Sequence, residues 1–170
     1  SEKLLAKAAA RGYTQTVQVD AFSEALPFPD KSFDVVVCGE CIEHGADTDW
    51  LLSQINRVLK PNGDLVLTFP NIRTPISFLL MLCNRAPMMA ARYRSGHVRD
   101  FTTSSIKLAL HSHKFQILTM KGGSFAVGRD ASGILPGLAS VLPSWASTVV
   151  VHAKKRAESA YSVANHLTPL

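Results

Sequence analysis

The chain has 170 residues, 46% of them hydrophobic and 18% charged. That is enough apolar material for one packed domain and too little charge for a disordered chain. A net charge of +5 inclines the protein toward anionic ligands without requiring one. The longest uncharged run, 131–153, is broken by Pro136, Pro143, two glycines and His152, which argues against a membrane-spanning helix and leaves peripheral contact open.

Ser1-Glu2-Lys3 leads into a helix over 2–11 with Leu4, Leu5, Ala8 and Ala9 on one face, stopped by Gly12; a signal peptide is not expected. Residues 16–20 alternate and are β-rich, predicting a short strand that ends in Asp20. A loop with Pro27 and Pro29 follows. Residues 33–38 then form an apolar strand of the kind buried on both faces by helices. Asp47 caps a helix whose inner face carries Leu51, Ile55, Val58 and Leu59. Pro61-Asn62-Gly63 ends that helix, and 64–69 is a buried strand closed by Pro70-Asn71.

The apolar stretch 74–89 reads as a short helix plus a flap, followed by a basic loop with Arg92, Arg94, His97 and Arg99. Thr102 or Thr103 caps a helix containing Ile106, Ala109 and Leu110. Residues 115–120 and 148–152 are strands joined by a long Gly- and Pro-rich loop, and Lys154 onward reads as a polar, frayed tail. The alternation predicts an α/β, three-layer, mostly parallel sheet, with an antiparallel last strand permitted.

Ligands in open α/β sheets sit beyond the carboxyl ends of the strands. Asp20 and the cluster Gly39-Glu40-Cys41-Ile42-Glu43-His44 therefore form one wall of a crevice. Cys38-Gly39-Glu40-Cys41 is a C-x-x-C without a second ligand pair, so no metal site is expected. Three cysteines, with no extracellular framework, suit a reducing compartment, and a cytoplasmic location is expected. Between 85 and 99 lie four arginines and one histidine with no acid, suited to gripping a phosphate or carboxylate or, equally, to a solvated loop. Lys121-Gly122-Gly123-Ser124 lacks the spacing of a nucleotide loop.

Three strings, LPFPDKSFDVVVCGECIEH, INRVLKPNGDLVLTFPN and HVRDFT, stand in one order. Together they resemble the class I S-adenosylmethionine-dependent methyltransferases, in the type 11, ubiquinone-biosynthesis-like branch. The resemblance implies a Rossmann-like sheet of order 3-2-1-4-5-7-6 with its last strand antiparallel. It makes residues 1–156 an incomplete domain lacking the first two strands, the glycine-rich cofactor loop and the ribose acid, with 157–170 a polar tail.

By the same resemblance the cofactor is S-adenosyl-L-methionine. Asp20, Ala21 and Phe22 fall at the adenine, and Cys38, Gly39, Glu40 and His44 along the methionine portion. Asp20 also reads simply as the start of a turn, and His44 as a structural histidine. Asn71, at the end of the family's fifth strand, faces the transferred methyl group, where its amide reads either as orienting an acceptor or simply as forming a turn; His97 and Arg99 are the candidates for acceptor chemistry. The implied activity is methyl transfer to a small, anionic acceptor resembling a lipid, quinone or glycan precursor. An inactive remnant or partner-binding module is the alternative, and a nucleic-acid methyltransferase the second. Nucleic acid is disfavoured because no platform of exposed aromatics accompanies the basic residues.

Overall fold

The computed structural model describes residues 2–87, 96–124 and 136–157. Helix α1 (Glu2–Ala10) ends at Gly12, which takes φ +89, a conformation open to glycine at no steric cost. No residue of α1 is buried; Leu5 and Ala8 are half-buried. The strand expected at 16–20 is absent. The segment is irregular and exposed apart from the half-buried Val19, and no described strand hydrogen-bonds to it. Alternation alone cannot make a strand where the backbone groups have no ladder partner.

Four strands form one sheet: β1 (Phe33–Gly39), β2 (Leu59–Pro70), β3 (Phe115–Ser124) and β4 (Thr148–Lys155), in the order β1-β2-β4-β3. β1 is parallel to β2, while β4 runs antiparallel to both β2 and β3. Three strands therefore share a direction and the last is reversed. This is the 4-5-7-6 portion of the order that the resemblance implies.

Register sorts the two faces. Leu65, Leu67 and Phe69 pair with Ala153, Val151 and Val149, and all six are fully buried. Against them pack α2 (Thr48–Val58), through Leu51, Leu52 and Ile55, and α4 (Thr103–Ser112), through Ile106 and Leu110. Both helices carry the caps their sequences call for. Asp47 accepts from the Trp50 N–H, and Thr102 forms a reciprocal capping box with Ser105.

A short helix, α5 (Pro136–Val141), lies in the segment read as loop. It presses on β3 at Gly122, where an added Cβ would lie 2.2 Å from the Ala139 carbonyl oxygen and 2.4 Å from the Ala146 Cβ. The glycine pair thus sits inside β3 and admits a close helix.

The opposite face is open. Val35 and Val37 of β1 are 52% and 71% exposed, so the strand expected to be covered on both faces is an edge strand covered on one. Two boundaries also move. Pro61-Asn62-Gly63 lies within β2, where the pairing jumps from Phe33–Leu59 to Val35–Asp64 and Asn62 adopts φ 62. Lys154 and Lys155, read as tail, belong to β4. The buried Lys155 ammonium donates to the carbonyls of Asn56 and Leu59 at 2.6 and 2.9 Å, satisfying oxygens at the end of α2. Residues 158–170, most of the expected tail, lie outside the described part.

Candidate functional site at the strand carboxyl ends

β1 terminates in a turn that its neighbour holds. Glu40 takes φ +46, a left-handed conformation that non-glycine residues adopt only when held. Its N–H is bonded to the Thr68 hydroxyl at 2.9 Å and the Thr68 carbonyl at 3.3 Å. Desolvation pushes the Glu40 carboxyl above its ordinary range. Thr68 gave no signal in the sequence beyond its place near the end of a buried strand.

The turn at Asp20 closes on itself. Its carboxylate accepts the Phe22 N–H at 3.1 Å and the Ser23 hydroxyl at 2.6 Å. The Ser23 bond, then the Phe22 bond, hold the carboxyl below its usual range. A carboxylate offers about four acceptor positions, so this one retains capacity for a ligand amine. Phe22 lies flat against Gly45, where an added Cβ would come within 1.7 Å of the ring. Ala21, Phe22 and Cys41 also pack on the core. The 20–22 turn is thereby brought against the 39–45 segment, as one wall of a crevice requires.

Cys38 is buried and Cys41 half-buried, with both thiols free. The interaction of the two thiols raises the Cys38 thiol, with burial adding to the effect, and lowers Cys41 to about 7.

After Cys41 comes a single 3-10 turn, Ile42–His44. Glu43 is 1% exposed, and its backbone carbonyl accepts from both Val98 and Arg99, at 2.9 and 3.2 Å. His44 Nδ1 lies 3.1 Å from the Gly96 carbonyl. The His44 and His97 rings meet edge to face, with centroids 5.0 Å apart. Further on, the Phe101 carbonyl accepts the Ile72 N–H at 3.0 Å, and Phe101 bridges Asn71. The 96–101 segment therefore runs from the end of β1 to the end of β2, joining His44, His97, Arg99 and Asn71 in one region. Arg92 and Arg94 of the basic loop lie outside the described residues.

Asn71 is fully buried and heavily engaged. Its amide nitrogen donates to the carbonyls of Ala146, Ser144 and Arg73 at 2.8, 3.1 and 3.4 Å, and its oxygen accepts the Arg73 N–H at 3.1 Å. Beside it opens a groove of about 390 Å³ lined by Arg73, Thr74, Pro75, Phe78, Leu79 and Trp145. Its floor is α3 (Pro75–Leu82), capped by Thr74. α3 is the short helix expected at the start of the apolar stretch 74–89, while Arg73 is not among the residues singled out in the sequence.

Residues 1–67 match the family model described as a methyltransferase domain. Over that stretch the chain is similar to S-adenosylmethionine-dependent methyltransferases. It is 43% identical over 67 residues to the ubiquinone/menaquinone biosynthesis C-methyltransferase UbiE of Hahella chejuensis, covering 38% of this chain and 27% of that protein. The UbiE of Shewanella oneidensis is 43% identical over 58 residues, or 34% and 23% of the two chains. The chain thus spans about a quarter of the length of the curated relatives it matches.

Solved structures extend the likeness of fold to about nine tenths of the chain. A methyltransferase from Thermotoga maritima, titled a possible histamine N-methyltransferase, superposes with a TM-score of 0.62 at 16% identity, covering 91% of this chain and 70% of that one. The [4+2]-cyclase SpnF superposes with a TM-score of 0.56 at 20% identity, covering 89% and 60%. The α/β methyltransferase fold expected from the sequence is borne out. No helix among the described residues is long and apolar enough to cross a membrane.

Proposed function

We propose that the protein acts in methyl transfer from S-adenosyl-L-methionine to a small-molecule acceptor. The observation that carries this reading is the family match over residues 1–67, which includes the whole Asp20–His44 wall. The residues present fit the cofactor's adenine and methionine side. Asp20 offers an ionised carboxylate, exposed and with lone pairs to spare. Phe22 supplies an apolar surface, and the turn at Gly39 and Glu40 presents backbone at a strand end. Cys38 and His44 flank that path.

The cofactor supplies an activated methyl group when bound. The chain's own work is then alignment and exclusion of water, together worth ~7–11 kcal/mol when the reacting atoms are held in line. Asn71 serves as a positioning residue, since its amide fixes Arg73 and the Ser144–Ala146 backbone that frame the groove. The groove's apolar lining and its single arginine suit an apolar acceptor with an anionic group, of the quinone- or lipid-precursor kind. Arg73 joins Arg99 as a candidate anion contact. His97 is the proposed base for an acceptor proton.

Because a neighbour of the same fold is a cyclase, fold alone does not fix the chemistry. The deciding experiment is isothermal titration of the 170-residue chain with S-adenosylhomocysteine. Saturable micromolar binding, weakened by Asp20→Asn, is the expected result. Absence of binding by a folded chain would favour the non-catalytic alternative, in which the exposed Val35 and Val37 face meets a partner.

A further inference from the structure

We propose that Glu43, His44 and His97 form a site for a first-row divalent cation, an inference that takes His97 as a ligand in place of a base and does not otherwise rest on the methyl-transfer reading. A carboxylate oxygen of Glu43 and one nitrogen from each imidazole lie within 4.8 Å of one another. Glu43 Oε1 is 3.7 Å from His44 Nε2 and 4.0 Å from His97 Nε2.

These separations are too long for hydrogen bonds, which run to about 3.2 Å. They are close to what a shared ion produces. With metal–donor bonds of ~2.0–2.2 Å, neighbouring ligand atoms around one centre stand roughly 3–4 Å apart.

Burial gives the second, independent reason. Glu43 is 1% exposed, and its other oxygen, Oε2, is buried with no hydrogen-bond partner among the described residues. An unsatisfied buried carboxylate oxygen is costly, and a native protein that keeps one calls for an ion or water beside it.

The tautomer is also set for ligation. The Gly96 carbonyl can only accept, so His44 Nδ1 must carry the proton facing it across 3.1 Å. That leaves the Nε2 lone pair of a neutral His44 directed away from its backbone anchor, the usual support of a metal-bound histidine. The Glu43 carbonyl meanwhile ties down the 98–99 backbone, which holds His97 beside the other two. Two imidazoles and one carboxylate suit Mn²⁺, Fe²⁺, Co²⁺ or Zn²⁺ and leave coordination positions open for oxygen donors of a bound molecule.

The test uses the 170-residue chain stripped with chelator, titrated with Mn²⁺ by calorimetry and with Co²⁺ by visible absorption. One saturable site is expected for each, without the thiolate charge-transfer absorption that ligation by Cys38 or Cys41 would give. Glu43→Gln and His97→Gln should each weaken binding about tenfold or more, with far-ultraviolet circular dichroism unchanged. If Glu43→Gln fails to fold, His97→Gln and His44→Gln, at less buried positions, decide the matter. Failure of the folded wild-type chain to bind either ion would overturn the proposal. So would binding indifferent to the histidine substitutions, or a thiolate band.

Discussion

Thr68 accepts the N–H of Glu40 through both its hydroxyl, at 2.9 Å, and its carbonyl, at 3.3 Å. One residue of β2 thus holds the left-handed turn that ends β1 and shapes the proposed methionine path. Thr68→Val keeps the side chain's volume and removes the hydroxyl acceptor. The cost should be about 1 kcal/mol, read as a fall in melting temperature of ~2–4 °C. Affinity for S-adenosylhomocysteine should fall with it, and Thr68→Ser should restore both. A Thr68→Val protein that melts earlier yet binds unchanged would detach this turn from the cofactor site.

Asp20 provides a pH signature. Its folded-state pKa is depressed, chiefly by the Ser23 hydroxyl and then by the Phe22 N–H. The stability it contributes is therefore present above the unfolded value of ~3.9 and disappears as pH falls through the lower folded value. Removing the larger cause by Ser23→Ala should move the carboxyl titration, followed by carbon-13 NMR, upward toward ~3.9. An unmoved titration would show that the turn does not bind the carboxylate as described.

What the sequence disclosed and what it hid follow a physical division. Caps at Asp47 and Thr102, the helix face of Leu51 and Ile55, and the reversed last strand are local patterns, and they appear as read. Residues 16–20 have strand composition but no partner strand among the described residues, and no local pattern reports a partner. Val35 and Val37 are apolar yet exposed, because coverage of a strand is a property of the sheet around it. Lys155 looked like tail and is a buried donor to α2, a contact across 96 and 99 residues of chain. The Glu43, His44 and His97 cluster escaped for the same reason. Two of its members are adjacent, but the third arrives from over fifty positions away, outside any fixed ligand spacing.

Asn71 separates a positioning role from direct contact with an acceptor. Its amide donates to three backbone carbonyls and accepts one N–H, all at least partly buried. Asn71→Ala leaves these groups unsatisfied and should cost ~2–4 kcal/mol, lowering the melting temperature by on the order of 10 °C. Asn71→Asp should be at least as damaging, because a carboxylate would replace the donor and face carbonyl oxygens directly. Thermal denaturation of the two variants checks this. Were Asn71 engaged mainly with an acceptor molecule, both variants would melt close to wild type and lose only turnover. A large thermal loss in both instead places the residue in the frame of the groove, holding Arg73 and the segment before Trp145, so that any change in turnover follows from a displaced wall.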